Sequence, residues 1–377
     1  MPTLFLVDGA AGSGKTDFIQ HFCEQSNNDA FVKKYTTKIE DDGAKRPDLD
    51  YKKEDDYKAL LKGKKQNVDY FEYHYPEEDK NCRYMVLKDD IDKELRTHNN
   101  VYLIIRNDKI ISKIKSVYAS YLNIKIVTMF IYSDSARLEK RVEQQCRDKQ
   151  MREAGCIDET KIKEEIQKRL NRNAECLKSY ISTIGKNLYD YVILNDISYD
   201  EYHRCMKEIK QQCEEDNINK FTELNAFIIM PITEGREWMH FNEVKNAIIQ
   251  GAKMQGFIAE RQDDKNDPKI MDSIKESIND ALVCIVDLTL SRPNCYYELG
   301  LAEETHRTEQ IVILKQENEK LAFDLQGRKC SDYTFHENDY SRISNIVSQK
   351  LAQFRKNHIF MTNDLEEYIN RIKDSDI

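Results

Sequence analysis

The chain reads as two α/β domains in succession, each a doubly wound parallel sheet, the second flavodoxin- or Rossmann-like, with a helical C-terminal tail. Three observations predict this. Apolar, β-rich runs alternate with amphipathic stretches of helix length, twice over, and that alternation builds parallel sheets covered on both faces. At 377 residues the chain is long for one hydrophobic core. A short polar stretch at 217–224 separates the two series. The expected division is therefore 1–216, a linker at 217–224, 225–340, and a tail at 341–377.

Taken in order, "TLFLVDGAAGSGKTDFIQHF" opens as strand, glycine loop and helix. Charged, loop-like sequence follows from Lys33 to Lys65. "NVYLIIRN" and "IKIVTMFIY" read as strands, and the segments from Asp134 and from Asp158 as two charged helices with apolar positions at three- and four-residue steps. "LYDYVILND" adds a strand and the segment from Tyr199 a closing helix. The second series runs "AFIIMPI", a helix ending at Gly256, "FIAERQDD", a helix with Pro268 near its first turn, "LVCIVDLT", the helix "YYELGLAEETHRT", and "QIVILKQ" as the last strand. From about Ser341 the tail reads as helix.

Composition narrows the function classes. A net charge of -9 argues against a scaffold that neutralises nucleic-acid phosphates, so no nucleic-acid partner is expected. No stretch approaches the roughly 20 apolar residues of a membrane span, and the chain enters a strand without a signal peptide; a cytoplasmic protein with no membrane partner is expected. The ten cysteines are scattered, with no CxxC pair, which favours reduced thiols over a zinc site or a disulfide framework.

Gly9-Ala10-Ala11-Gly12-Ser13-Gly14-Lys15-Thr16 fits G-x-x-x-x-G-K-T in full, between a strand and a helix. Glycines let successive N–H groups turn inward around phosphate oxygens, and the helix N-terminus adds a favourable dipole. Lys15 is placed for the β- and γ-phosphates of ATP or GTP, and Thr16 for Mg2+. Around this motif the first series resembles guanylate kinases. "KKYTTK" resembles their Thr-Thr-Arg stretch, "YFEYHYPEEDKNCRYMV" their Glu-Tyr-His segment, "SDSARLEKRV" and "IQKRLNRNAE" their two arginine-bearing helices, and "YDYVILND" their last strand. The resemblance implies that Thr37, Lys38, Tyr73 and Tyr84 hold a nucleoside monophosphate. It implies that Arg141, Arg169 and Arg172 stabilise phosphoryl-transfer charge. Two departures stand out: Lys38 replaces an arginine, losing a bidentate fork, and Ile105-Arg106-Asn107-Asp108-Lys109 replaces Ile-Asp-Val-Gln-Gly. A working kinase and a catalytically inactive nucleotide sensor both remain open.

In the second series, Asp287 ends a strand and Glu298 begins the next helix, so both carboxylates are expected to face the crevice at the carboxyl edge of the sheet. A charged glutamate at a helix start suits attack on an electrophilic sugar carbon. "FIIMPI", "VCIVDLT", "RPNCYYELGLAEE" and "QIVILKQ" resemble nucleoside 2-deoxyribosyltransferases, with TIR-like relatives a step further away. That resemblance implies that Glu298 is nucleophile or base at the anomeric carbon, that Asp287 holds sugar or base, and that Asn294 shapes the loop or touches the ribose. Gly235-Arg236 is a candidate for a 5′-phosphate; Arg261, Asp263 and Asp264 are a further loop candidate, with a solvated turn as the other reading, and Trp238 reads as packing. The substrates expected are nucleosides or nucleotides, the chain a homo-oligomer, and no cofactor is expected at this second site.

Overall fold

The computed structural model describes residues 1–9, 12–38, 46–75, 82–133, 135–155, 157–184, 187–195, 199–217, 224–232, 236–262, 270–322, 325, 327–334, 340–361 and 363–375. The chain divides into two compact units, Met1–Lys220 and Phe221–Ile377.

In the first unit, β1 (Thr3–Gly9) is buried along its whole length and leads into α1 (Lys15–Gln25), followed by β2 (Asp29–Phe31). Two further strands, β3 (Lys34–Thr36) and β4 (Leu49–Tyr51), and α2 (Glu54–Leu61) come next. The sequence reading expected only loop here. What hid them is length and charge: each strand has three residues, too few to show a period. The Lys34 ammonium, moreover, pairs at 2.9 Å with Asp48, and both side chains are buried. The chain continues as β5 (Tyr70–Tyr73), β6 (Tyr84–Leu87), α3 (Lys88–Thr97) and β7 (Asn100–Ile104). After β7 come α4 (Asp108–Tyr118), β8 (Lys125–Tyr132), α5 (Ser135–Ala154), α6 (Glu159–Ile184), β9 (Tyr191–Leu194) and α7 (Tyr199–Asn217).

Five of these strands form an all-parallel sheet in the order β2-β7-β1-β8-β9. Its core joins Phe5, Val7, Ile19, Tyr102, Met129 and Ile131. The other four form a mixed sheet, β4-β3-β6-β5, antiparallel except for β3 beside β4. One face of it packs through Met85 and Leu87 on Tyr57 of α2. Strand β7 stops short of the expected Asn107, because the Asn107 side chain caps α4 by accepting from the Ile110 N–H at 3.0 Å.

The second unit comprises β10 (Asn225–Ile229), α8 (Arg236–Lys253), β11 (Ile258–Glu260), α9 (Ile270–Asp280), β12 (Val283–Asp287) and α10 (Pro293–Thr305). Then follow β13 (Ile311–Gln316), β14 (Cys330–Tyr333), α11 (Ser341–His358) and α12 (Asn363–Asp374). The five strands are parallel in the order β11-β10-β12-β13-β14. The strand order reverses between β10 and β12, the place where sheets of this kind open a crevice. "QIVILKQ" is not the last strand, as expected; β14 follows it, unannounced because "CSDY" carries little apolar pattern. Among the described residues no helix is long and apolar enough to cross a membrane.

The last helices belong to this unit's core. Helix α11 buries Ile343, Val347, Leu351 and Phe354 and lies along α8. A Cβ on Gly251 of α8 would stand 2.4 Å from the Ser344 carbonyl oxygen, so the close approach requires glycine. Gly251→Ala is therefore expected to force the two helices apart and cost about 1–3 kcal/mol, as overpacking does. The single tryptophan, Trp238, lies in this unit, so urea unfolding followed by its fluorescence reads the loss.

Candidate functional site

The first site is the loop between β1 and α1, of which Ala10 and Ala11 lie outside the described residues. Gly9 and Gly14 sit at φ 138° and 90°, and a Cβ on Gly9 would collide with the Ile131 carbonyl. Gly14 is also the N-cap of α1, and the next two residues, Lys15 and Thr16, begin the helix. Lys15 is buried and folded over the loop, its ammonium donating to the Gly9 carbonyl at 2.8 Å and to the Ser13 hydroxyl at 3.2 Å. Gly9, Gly12, Ser13, Gly14, Lys15 and Thr16 thus occupy the positions their motif implies. A magnesium ion fits such a set: Thr16 offers one half-buried hydroxyl, and a metal bound mainly by phosphate and water needs no more from the protein. No group of three or more His, Cys, Asp or Glu side chains that could hold a metal occurs among the described residues.

Two residues beside the loop carry no role in the sequence reading. Asp8 is buried, accepts from the Gly9 N–H at 2.6 Å and the Tyr189 hydroxyl at 2.5 Å, and burial raises its pKa against the pull of those donors and of Lys15 and Arg106. Asn195, just past β9, donates from its amide to the Ser13 carbonyl at 2.7 Å. Its own carbonyl and the Ser133 hydroxyl accept from Arg141, at 3.3 and 3.2 Å. Arg141 is therefore brought to the carboxyl edge of the sheet, beside the loop. Arg169 is not: its guanidinium is taken by Glu165 at 2.8 Å and Gln145 at 3.0 Å, a brace between α5 and α6.

On the mixed sheet, Tyr73 and Tyr84 are cross-strand neighbours, buried and stacked at 5.7 Å, with Tyr75 at 4.9 Å from Tyr84. The Arg106 guanidinium lies 4.1 Å above the Tyr75 ring. The two tyrosines are brought together, and the residue facing Tyr75 from just past β7 is a cation. Thr37 spends its hydroxyl oxygen on the Arg83 N–H at 2.9 Å, which lengthens the β3–β6 ladder, and Lys38 follows half-buried.

The second site is a cavity of about 380 Å³ at the carboxyl edge of the second sheet, around the β10–β12 switch point. Asn294, Tyr297 and Glu298 line it together because positions i, i+3 and i+4 share one face of α10. Opposite them stand Met230 and Ile232 after β10, Arg261 and Gln262 after β11, and Met271 and Ile274 of α9. Glu298 lies in the second turn of α10, beyond the reach of the N-terminal dipole. Burial instead pushes its carboxyl up to about 7, so the expectation of a carboxylate held charged by the helix start is corrected.

Asp287 departs further from expectation. It is fully buried and does not line the cavity. One carboxyl oxygen accepts from the Thr289 N–H at 3.0 Å and the Thr289 hydroxyl at 2.6 Å, the other from the Tyr333 hydroxyl at 2.9 Å. A carboxylate so enclosed cannot hold a sugar or base. It anchors the loop to α10, in which Leu290 and Ser291 adopt left-handed φ of 67° and 49°. Gly235, Asp263 and Asp264 lie outside the described residues, as do the side chains of Arg172, Arg236 and Trp238.

No family profile and no curated protein matches the chain. Solved structures that match include the crystal structure of guanylate kinase from Anaplasma phagocytophilum, at a TM-score of 0.34 and 13% identity, covering 56% of this chain and 86% of that one.

The raised pKa of Glu298 has a consequence for stability. Between the ordinary carboxyl value of 4.5 and about 7, the folded state keeps a proton that the unfolded state releases, so stability falls as pH rises through that window. Glu298→Gln removes the dependence. It is expected to match the parent at pH 4 and to exceed it by about 1 kcal/mol at pH 8, after allowance for solvent screening; urea unfolding at the two pH values measures both.

Proposed function

We propose that the chain is a bifunctional nucleotide-processing enzyme, whose second unit breaks a base–sugar N-glycosidic bond through Glu298. The observation that carries this reading is the cavity at the switch point, with one carboxyl in its wall raised to about 7 and, besides Arg261, a lining of apolar, aromatic and amide side chains among the described residues. In its ionised form Glu298 attacks C1′ or takes a proton from water that does so. The bond from C1′ to the base nitrogen breaks, and the base leaves with its electron pair. Asn294, one turn earlier on the same face, is placed to hydrogen-bond the sugar. Met230, Met271 and Tyr297 supply apolar surface for a planar base.

The first unit, in this reading, binds ATP or GTP with Mg2+ and phosphorylates a nucleoside monophosphate. Lys15 and Arg141 neutralise the transferring phosphoryl group, and Tyr73 and Tyr84 face the acceptor. One observation favours a second reading, in which this unit senses a nucleotide without turnover and controls a TIR-like NAD hydrolase or ligand-binding module, as in anti-phage defence. Arg106, a cation, stands where the guanylate-kinase pattern calls for an acidic strand end.

Two experiments test these assignments. Mass spectrometry of free base after incubation with nucleosides, nucleoside monophosphates and NAD should show release by the parent protein, rising with pH through about 7 as Glu298 ionises. Glu298→Gln should lose about a thousandfold or more of that rate, the scale expected for a lost nucleophile or base. Release undiminished in Glu298→Gln removes the glutamate from the mechanism. For the first unit, ADP formation from ATP is measured with each monophosphate, beside ATP binding. Turnover abolished by Lys15→Ala supports the kinase, whereas binding lost in Lys15→Ala with no turnover by the parent supports the sensor.

A further inference from the structure

Asn195 is joined to both halves of the first unit's phosphate apparatus, and neither the kinase nor the sensor reading gives it a task. Its side chain works on one half. The amide donates to the Ser13 carbonyl at 2.7 Å, and a Cβ on Gly14 would stand 2.5 Å from that amide nitrogen. The loop is thus seated directly on Asn195. When the N–H groups of such a loop turn inward toward an anion, its carbonyls turn outward and need donors of their own. Asn195 supplies one for Ser13, and both residues are buried.

The backbone of Asn195 works on the other half. Its N–H donates to the Tyr132 carbonyl at 2.7 Å, continuing the β8–β9 ladder, so the sheet fixes where the Asn195 carbonyl points. That carbonyl accepts from Arg141 at 3.3 Å and from the Ser133 hydroxyl at 3.1 Å. The Ser133 oxygen accepts from the other terminal nitrogen of Arg141 at 3.2 Å. Helix α5, which carries Arg141, also rests on the loop: a Cβ on Gly12 would lie 3.2 Å from Leu138 and 3.6 Å from Val142. Those apolar contacts set a distance but no direction. Direction comes from the hydrogen bonds that run from the loop to the guanidinium through Asn195.

We infer that Asn195 is a positioning residue, which holds the glycine loop and the Arg141 guanidinium in register so that one phosphate chain meets both. The inference rests on the reading of this unit as a site for ATP or GTP and deepens it. Loop N–H groups and Lys15 cradle the inner phosphates, and the guanidinium is then the group spaced for the terminal one. Two groups that grip one ligand reinforce each other only when their spacing is set before it arrives. Asn195 sets that spacing from behind the loop, since its amide is turned to the Ser13 carbonyl. Losing the amide therefore weakens the cooperation between loop and arginine, and leaves each group in place.

The test is isothermal titration of the full-length protein with ATP and with ADP, each with Mg2+, arranged as a double-mutant cycle. The parent is expected to bind ATP about tenfold or more tighter than ADP, and Arg141→Gln to remove most of that preference, the scale of charge-assisted hydrogen bonds to phosphate. Asn195→Ala deletes the amide and keeps the backbone carbonyl. It should cut the preference to about threefold or less, and Arg141→Gln added to it should then change little, about twofold at most. Ser133→Ala loosens the guanidinium without touching the loop, so it should lower the preference and leave ADP affinity as in the parent. Asn195→Ser, which keeps a shorter donor, should fall between parent and Asn195→Ala, and carries the same cycle should Asn195→Ala not fold. Arg141→Gln costing as much in either Asn195 variant as in the parent overturns the inference. So does an Asn195→Ala loss shared equally by ATP and ADP, the mark of a merely structural role. A parent that binds ATP and ADP equally removes the inference and keeps the loop as a nucleotide site; one that binds neither removes both. ADP formation from ATP with each monophosphate is scored separately. Coupling without turnover keeps the role of Asn195 and sinks the kinase; turnover without coupling does the reverse.

Discussion

A parallel strand cannot pair with its neighbour until the chain has crossed back over the sheet, so every strand delivers its carboxyl end to the same edge. Both units of this protein are governed by that constraint. In the first, Gly9, Arg106, Ser133 and Asn195 each lie at or just past the end of a strand, although more than 180 residues of chain separate the first from the last. In the second, Met230, Arg261 and Asp287 arrive by the same rule. The helices that follow turn their N–H-bearing ends toward that edge. Chemistry collects there because the backbone brings side chains and unpaired donors to one place, whatever the residues are.

The second unit uses two carboxylates in different ways within one loop and helix. Burial raises both, yet Asp287 is closed in by three donors while Glu298 opens on a cavity. The enclosed one holds a loop with two left-handed residues in shape. The open one is left with a proton affinity near neutrality, useful for either state of a reaction. The division follows from position along the chain: a strand end lies in the sheet's interior, and the second turn of the next helix lies at its margin.

The glycine loop was legible in the sequence because its backbone angles admit few residue types, and Glu298 because a strand, a short loop and a helix N-terminus fixed which edge it would reach. The role of Asp287 was not legible. Its place at a strand end could be read, but its enclosure depends on Tyr333, on a strand too short and polar to be recognised. The mixed sheet was missed for a related reason: Lys34 and Asp48 read as surface charge, and only their pairing makes them interior. Arg106 is legible as a departure from a pattern, but not the Tyr75 ring that lies beneath its guanidinium. Asn195 reads as part of a strand, and nothing in its type says that it would hold the glycine loop.

The Asp287 cluster bears on how this sequence can change over time. An aspartate, a threonine and a tyrosine share one set of buried hydrogen bonds, and the loss of any single member leaves another polar group in the dark without water. Single replacements at 287, 289 or 333 are therefore steps downhill in fitness, while a joint replacement by apolar residues of similar volume is level ground. Divergent copies of this chain should carry the trio whole or have exchanged it whole, so that a strand end, its loop and a distant strand drift as one character.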